Sequence, residues 1–341
     1  LTLNIGENKL FESYMETFAK AMRDFMNNRK LSVNIYEIDK PDVPLWATWC
    51  IQQYAKLVSG KECYAKYGTL LNEIMSYILA GKHPNLFVHD NGLVYSSGHE
   101  KAITWMNSTI DGKPIVPRSG YIVEFNALKF QTELIKEFGT EEEIASLYEI
   151  SSVTSKVENS FSKTFLNEYG YLFDYVDGTT PDWSVRPNQI FAVALDHSPL
   201  SPTARKTVLD ICTRELVTPK GLRSLSPKSG GYNPIFAGPP QQRDRCYYQG
   251  TAWPWLMGFY LEAYLRVYKR SGLSYIERQL IGFDEEMSYH FIGTLPELFD
   301  GDPPFHGRGA FAFAMSVSGI LRAERLLEKY NENNPYKEET I

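Results

Sequence analysis

Sulfur is scarce in this sequence and shows no pairing pattern. Its four cysteines, Cys50, Cys63, Cys212 and Cys246, are spread over 341 residues without a CxxC spacing. A secreted scaffold stapled by disulfides needs far denser cysteine, so reduced thiols in a cytoplasmic setting are expected. Positive charge is also in deficit, with a formal net charge of −6. Nucleic-acid backbones and anionic membrane surfaces demand clustered Lys and Arg, which excludes both as main partners and favours a neutral ligand. No apolar run approaches the roughly 18 residues of a membrane span, and no basic-then-apolar signal opens the chain. P-loop, GxGxxG, HExxH and GxSxG motifs are all missing. The six histidines, His83, His89, His99, His197, His290 and His306, lack metal-ligand spacing, so neither a metal nor a redox cofactor is expected. The first residue is Leu1 rather than Met, which reads as a catalytic piece of a longer chain.

What is abundant is aromatic. Twenty-two Tyr, 19 Phe and 6 Trp make up 14% of the residues, while apolar and charged fractions of 43% and 22% are ordinary for a globular protein. Flat rings with polar handles fill large cores and also stack on sugar rings, so the excess fits either use.

Helical periodicity dominates the chain. Leu10, Tyr14, Phe18, Met22 and Phe25 fall at three- and four-residue steps and predict an apolar stripe on a helix over 9–28. Similar patterns predict helices near 43–58, 64–81, 124–138, 141–167, 187–196, 203–216, 251–270, 275–292 and 309–331. Thr140 ahead of Glu141, Glu142 and Glu143 is a start signal, as is Pro187–Asn188. Between the helices lie loops rich in Gly, Pro, Asn and Asp at 83–99, 111–120, 168–186, 218–249 and 294–308. Loops this long are uncommon unless functional. Helix pairs alternate with loops rather than strands, so one closed all-α domain spanning 1–341, with its long loops on one face, is the expected architecture.

Four segments carry chemistry. Residues 102–128 gather Trp105, Asn107, Arg118, Glu124 and Asn126, a mixture suited to a polyol, although Asp111–Gly112 also reads as a hairpin turn and Glu124 as a helix-start anion. Residues 170–192 crowd Asp174, Asp177 and Asp182 ahead of Arg186 and Asn188. Carboxylate and guanidinium groups grip sugar hydroxyls, but an Asp182–Arg186 salt bridge is the plainer reading. Residues 246–256 set Tyr247, Tyr248, Gln249, Trp253 and Trp255 around Gly250 and Pro254, an aromatic wall with an amide. Residues 293–309 hold Glu297 beside Pro296, followed by Asp300 and Asp302, which also suit turns.

In order, TWMN, PRSGYIVEFNAL, RPNQIFAVAL, YYQGTAWPW and LPELFDGDPP resemble the C-terminal amylo-α-1,6-glucosidase domain of glycogen debranching enzymes, over roughly residues 40–330. The resemblance implies an (α/α)6 toroid of two concentric helix rings. It implies a branched α-glucan such as glycogen or limit dextrin as substrate, and a β-rich N-terminal domain of the same protein as partner. It also implies hydrolysis with inversion, for which one carboxylic acid protonates the leaving oxygen and a second activates water. Glu297, the Glu of LPEL, matches the base. The family's acid is the Asp of TWMD, and here that position is Asn107, so Asp182 or Asp111 becomes the replacement acid. The implied sugar pocket comprises Trp105, Arg118, Glu124, Asn126, Arg186, Asn188, Tyr248, Gln249 and Trp253. Two further readings follow: another inverting exo-glycosidase of trehalase type, and a glucan-binding domain with weakened catalysis.

Overall fold

A computed structural model describes residues 1–35, 37–96, 104–110, 113–114, 123–289 and 292–332, with the backbone alone at 109–110, 113–114 and 123–125. A short turn of helix, Thr2–Ile5, precedes α1 (Asn8–Met26), α2 (Val43–Ala55), α3 (Gly60–Leu79), α4 (Val123–Phe138), α5 (Glu141–Phe165) and α6 (Phe191–Ala194). They are followed by α7 (Pro202–Leu216), α8 (Pro240–Cys246), α9 (Met257–Tyr268), α10 (Leu273–Asp284), α11 (Glu286–Tyr289) and α12 (Ala314–Glu332).

Local chemistry sets several of the starts. Thr140 Oγ1 accepts from the Glu143 N–H at 3.2 Å while Glu143 Oε2 accepts from the Thr140 N–H at 2.8 Å, a reciprocal cap for α5. Ser59 and Ser201 cap α3 and α7 in the simpler one-bond way.

The expected all-α architecture is the one observed: an (α/α)6 barrel. Burial separates its two rings. All four residues of α6 and eight of the twelve in α9 are buried, whereas the 25-residue α5 buries six. A helix apolar on every side belongs inside, and one with a single apolar stripe belongs outside. In the packing α2 lies on α3 and α4, α4 on α5, α9 on α6, α7 and α12, and α10 on α12.

Several local readings differ from the structure, among them the predicted loops 83–99, 168–186 and 294–308, which contain short strands. The stripe of α1 is shifted by one position: Phe11, Met15 and Met22 are buried, while Leu10 and Tyr14 are exposed. The predicted helix 187–196 is a 3-10 turn, Pro187–Ile190, leading into α6. The predicted helix 251–270 starts with a strand, Ala252–Trp253, and a 3-10 turn, Pro254–Leu256. The loop 218–249 contains a strand, Gly221–Arg223, and helix α8.

One small sheet positions the site. Five short antiparallel strands run in the spatial order Gly307–Arg308, Leu298–Phe299, Ala252–Trp253, Gly221–Arg223, Val217–Thr218. Pairing of Phe299 with Ala252 and of Trp253 with Leu222 ties the Glu297 segment to the aromatic segment some 45 residues earlier. Asp300 and Asp302 brace this sheet. Asp300, 1% exposed, takes a two-pronged bond from Arg308 at 2.8 and 3.0 Å, and Asp302 accepts from Tyr232 Oη at 2.7 Å and from Arg223 at 3.2 Å. At Gly301 a Cβ would sit 1.9 Å from the Gly250 carbonyl oxygen, so the two loops close on each other only with glycine there.

Candidate active site

Glu297 sits between Pro296 and the strand Leu298–Phe299 and is half-buried. Both of its carboxylate oxygens are engaged: Oε1 accepts from the Tyr247 hydroxyl, and Oε2 accepts from the Ala310 N–H at 2.9 Å. The backbone is fixed as well, because the Glu297 N–H donates to Ala310 O at 2.7 Å and Ser316 Oγ donates to Glu297 O at 3.2 Å. Gly309, at φ +71°, passes so close that a Cβ would lie 2.4 Å from Oε2. Glu297 and Tyr247 open into a groove of about 760 Å³ together with Phe236, Arg243 and Arg308.

Asn107 is held by the neighbouring tyrosine. The Tyr248 hydroxyl donates to Asn107 Oδ1 at 2.9 Å, and Asn107 itself is exposed. Two adjacent residues on one turn therefore carry the two groups that the sequence pairs as base and acid positions. Burial, and for Tyr247 also the neighbouring Glu297, push both phenol pKa values upward, which keeps each hydroxyl a donor.

Behind Tyr248 the aromatic wall is continuous. Its ring stacks on Trp253 at 5.2 Å between centroids and 10° between planes. Trp105 meets Tyr248, Trp253 and Trp255 edge-on at 5.3, 5.5 and 5.1 Å. The Trp105 indole N–H donates to Asn188 Oδ1 at 2.8 Å, and Asn188 Nδ2 donates to Asp174 Oδ1 at 2.8 Å. Asn188 thus serves the site rather than capping the helix that follows it.

Arg186 is 7% exposed, and its donors point inward. It donates to the carbonyls of Ser224 (3.1 Å) and Tyr248 (2.7 Å) and to Gln249 Oε1 (3.1 Å), with Asp174 at 3.6 Å. Its ion-pair partner is Asp174, not Asp182. Burial raises the Asp174 carboxyl to about 6, opposed by the Arg186 charge and the Asn188 amide.

The remaining sequence candidates fall in three places. Asn126 is fully buried, bonded to Gln52 at 2.8 Å and to the His197 N–H at 3.2 Å, so it joins helices rather than facing the groove. Asp182 accepts from the Ser184 N–H at 2.7 Å and lines a separate groove with Tyr169, Trp183 and Lys228. Arg118 and Asp111 lie outside the described residues, and Glu124 is placed in α4 by its backbone alone.

Three residues near this centre are not legible in the sequence: Tyr247 as the partner of Glu297, and Asp42 and Trp46 at the start of α2. Asp42 and Trp46 share with Trp105 the wall of a second cavity. The available signal is an Asp immediately before a helix with Trp at one-turn spacing.

A closed ring of helices whose mouth presents a braced carboxylate beside an aromatic wall defines a barrel glycoside hydrolase. The chain belongs to the amylo-alpha-1,6-glucosidase family, whose model matches residues 8–322. The glycogen debranching enzyme of Saccharomyces cerevisiae is 24% identical over 291 residues, which cover 71% of this chain and 18% of that protein. The chain therefore spans less than a fifth of that relative. Among solved structures, the GH63 mannosylglycerate hydrolase of Thermus thermophilus in complex with Tris and D-glycerate aligns with a TM-score of 0.62 at 12% identity, over 95% of this chain and 90% of that one. The same hydrolase in complex with glucose gives 0.59 at 14% identity, over 83% and 75%. These two share the fold with this chain. Among the described residues no helix is long and apolar enough to cross a membrane.

Proposed function

We propose that this chain hydrolyses α-1,6-linked glucosyl stubs of glycogen or limit dextrin, with inversion. The observation that carries the reading is the tyrosine pair: Tyr247 fixes Glu297 and Tyr248 fixes Asn107. Inversion needs two groups on opposite faces of the sugar, about 6.5–9.5 Å apart, with room for water between them. In this reading Glu297 takes the proton from that water, and Trp105 and Tyr248 wall the ring. Family membership and the yeast relative support the choice of a branched glucan.

Asn107 stands where the acid belongs, and Asp182 is turned into another groove. An amide carries no proton for the leaving oxygen, so acid assistance comes from another carboxyl, with Asp111 outside the described residues, or the reaction runs without it. Loss of a general acid costs on the order of 10²–10⁴ in rate. Asn107→Asp keeps one oxygen for the Tyr248 hydroxyl and adds a second that can hold a proton.

Glucose release from limit dextrin is the test. The wild type is expected to release glucose slowly, Asn107→Asp faster by two orders of magnitude or more, and Glu297→Gln none. Undiminished release by Glu297→Gln contradicts the role of Glu297. The amide at 107 also favours a second reading, a glucan-binding domain. Tight maltooligosaccharide binding without any glucose release by the wild type supports that reading instead. Release from trehalose but not from limit dextrin points to a different exo-glycosidase.

A further inference from the structure

Asp174 stands at the foot of the hairpin formed by Val176–Asp177 and Thr180–Pro181, with its side chain 1% exposed. A carboxylate buried that deeply is costly unless it is paired. Its two oxygens face two different arms. Oδ1 accepts from Asn188 Nδ2 at 2.8 Å, and Oδ2 lies 3.6 Å from Arg186 Nε.

Each arm ends on one half of the aromatic wall. Through Asn188 the first reaches Trp105, whose indole N–H donates to Asn188 Oδ1 at 2.8 Å. Through Arg186 the second reaches the Tyr248 carbonyl at 2.7 Å and Gln249 Oε1 at 3.1 Å. Trp105 and Tyr248 meet edge-on at 5.3 Å, and the Tyr248 hydroxyl holds Asn107. One buried carboxylate therefore stands behind both rings.

Its charge state decides which way the Asn188 amide points. An ionised carboxylate only accepts, so it takes the amide N–H and leaves the amide oxygen for the indole N–H. A protonated carboxyl on the same oxygen donates instead, which calls for the amide oxygen and turns Nδ2 toward the indole, donor against donor. The neutral acid also leaves buried Arg186 with the neutral acceptors of Ser224, Tyr248 and Gln249. Among the described residues, the charges acting on Asp174 are Arg186, which favours the anion, and Asp182 on the same hairpin, which opposes it. Burial outweighs Arg186 and brings the carboxyl to about 6. Protonation there removes a cost to the fold, so a change at that pH is not acid unfolding.

We propose that Asp174 is a positioning residue whose ionised form locks Trp105 and Tyr248 in place and whose protonation releases the wall. The inference rests on the hydrolase reading for what the wall does, and on the hydrogen bonds alone for the switch.

The indole N–H resonances of the full chain, followed by nitrogen–proton correlation NMR between about pH 5 and pH 8, read the switch directly. Trp105 is assigned by the signal missing in Trp105→Phe. In the wild type that signal is expected to titrate with a midpoint near pH 6, moving upfield as the bond to Asn188 is lost. Asp174→Asn should abolish the titration, because an amide does not ionise. Asn188→Ala should abolish it by cutting the arm while keeping the pair of Asp174 and Arg186. If one variant misfolds, the other decides. Asp42 also titrates near 6 and shares a cavity wall with Trp105, so Asp42→Asn is the control and should keep the Trp105 titration. No titration in the wild type, its survival in a folded Asp174→Asn or Asn188→Ala protein, or its loss in Asp42→Asn overturns the proposal. On limit dextrin, the wild-type kcat should fall through the same midpoint. Asp174→Asn should be lower at pH 7 by roughly tenfold or more, as for one lost bond to a charged group, and flat through that midpoint. An acid limb near pH 6 that persists in Asp174→Asn overturns the positioning role. A titrating Trp105 without any glucose release upholds the switch and removes the debranching reading.

Discussion

Tyr247 and Ala310 hold the two oxygens of Glu297 by different means, a side-chain hydroxyl and a backbone N–H. Only the first can be deleted without touching the chain path. A hydrogen bond to a charged group contributes about 1.5–3 kcal/mol, so Tyr247→Phe is expected to lower kcat roughly ten- to a hundredfold on limit dextrin. KM should barely move, because the ring and its place in the groove remain. A change in KM alone would show that Tyr247 binds sugar instead. Asp42 offers a second test at this scale. Burial raises its carboxyl from 3.8 to about 6, with Lys40 opposing and Glu37 adding to the shift. The folded state therefore holds the proton more tightly than the unfolded chain. Asp42's own destabilising contribution is absent below about pH 4, grows as pH rises to about 6 and is complete above it, on the order of 3 kcal/mol. Asp42→Asn should accordingly raise the melting temperature at pH 7 and leave it nearly unchanged at pH 4. An equal shift at both values would place the effect in packing rather than in charge.

Helices are legible in the sequence where one face alone is apolar and a capping residue stands at the start. The cap at Thr140 is legible because Thr followed by Glu at the third position has a specific use for both side chains. Thr140→Ala should cost about 0.5–2 kcal/mol by chemical denaturation, with no change in glucose release. A loss of activity without a loss of stability would contradict that division. Legibility ends where two periodic solutions compete or the backbone leaves the helical period. In α1 the series Phe11, Met15, Phe18, Met22 is as regular as Leu10, Tyr14, Phe18, Met22, and only the rings of Tyr54 and Tyr67 against Phe11 select between them. Around Trp253 the sequence is apolar throughout, so nothing marks the two residues that join the sheet before α9 begins. The mouth sheet is hidden for the same reason: its strands are two or three residues long, and their pairing joins segments far apart in the chain.

At the scale of the whole molecule, the ring brings four sequence-distant segments to one mouth. Glu297 with Tyr247 and Asn107 with Tyr248 come together there, with Trp105 and Asn188 behind Tyr248. Arg186 and Trp253 are instead turned inward as supports, and Asn126 is packed among helices. The sequence alone cannot separate a side chain that grips sugar from one that props up its neighbour, since both uses call for the same chemistry. Burial and hydrogen-bond partners separate them. Asp42 and Trp46 are hidden for the complementary reason: they read as an ordinary helix start, and only the closed ring sets them beside Trp105. The central claim is that Glu297 directs water onto the face opposite the leaving branch. Time-resolved proton NMR of Asn107→Asp acting on limit dextrin tests it most directly: the first glucose to appear should be the β-anomer, converting to the α-form only by mutarotation. Initial α-glucose, or no glucose at all, would contradict the account.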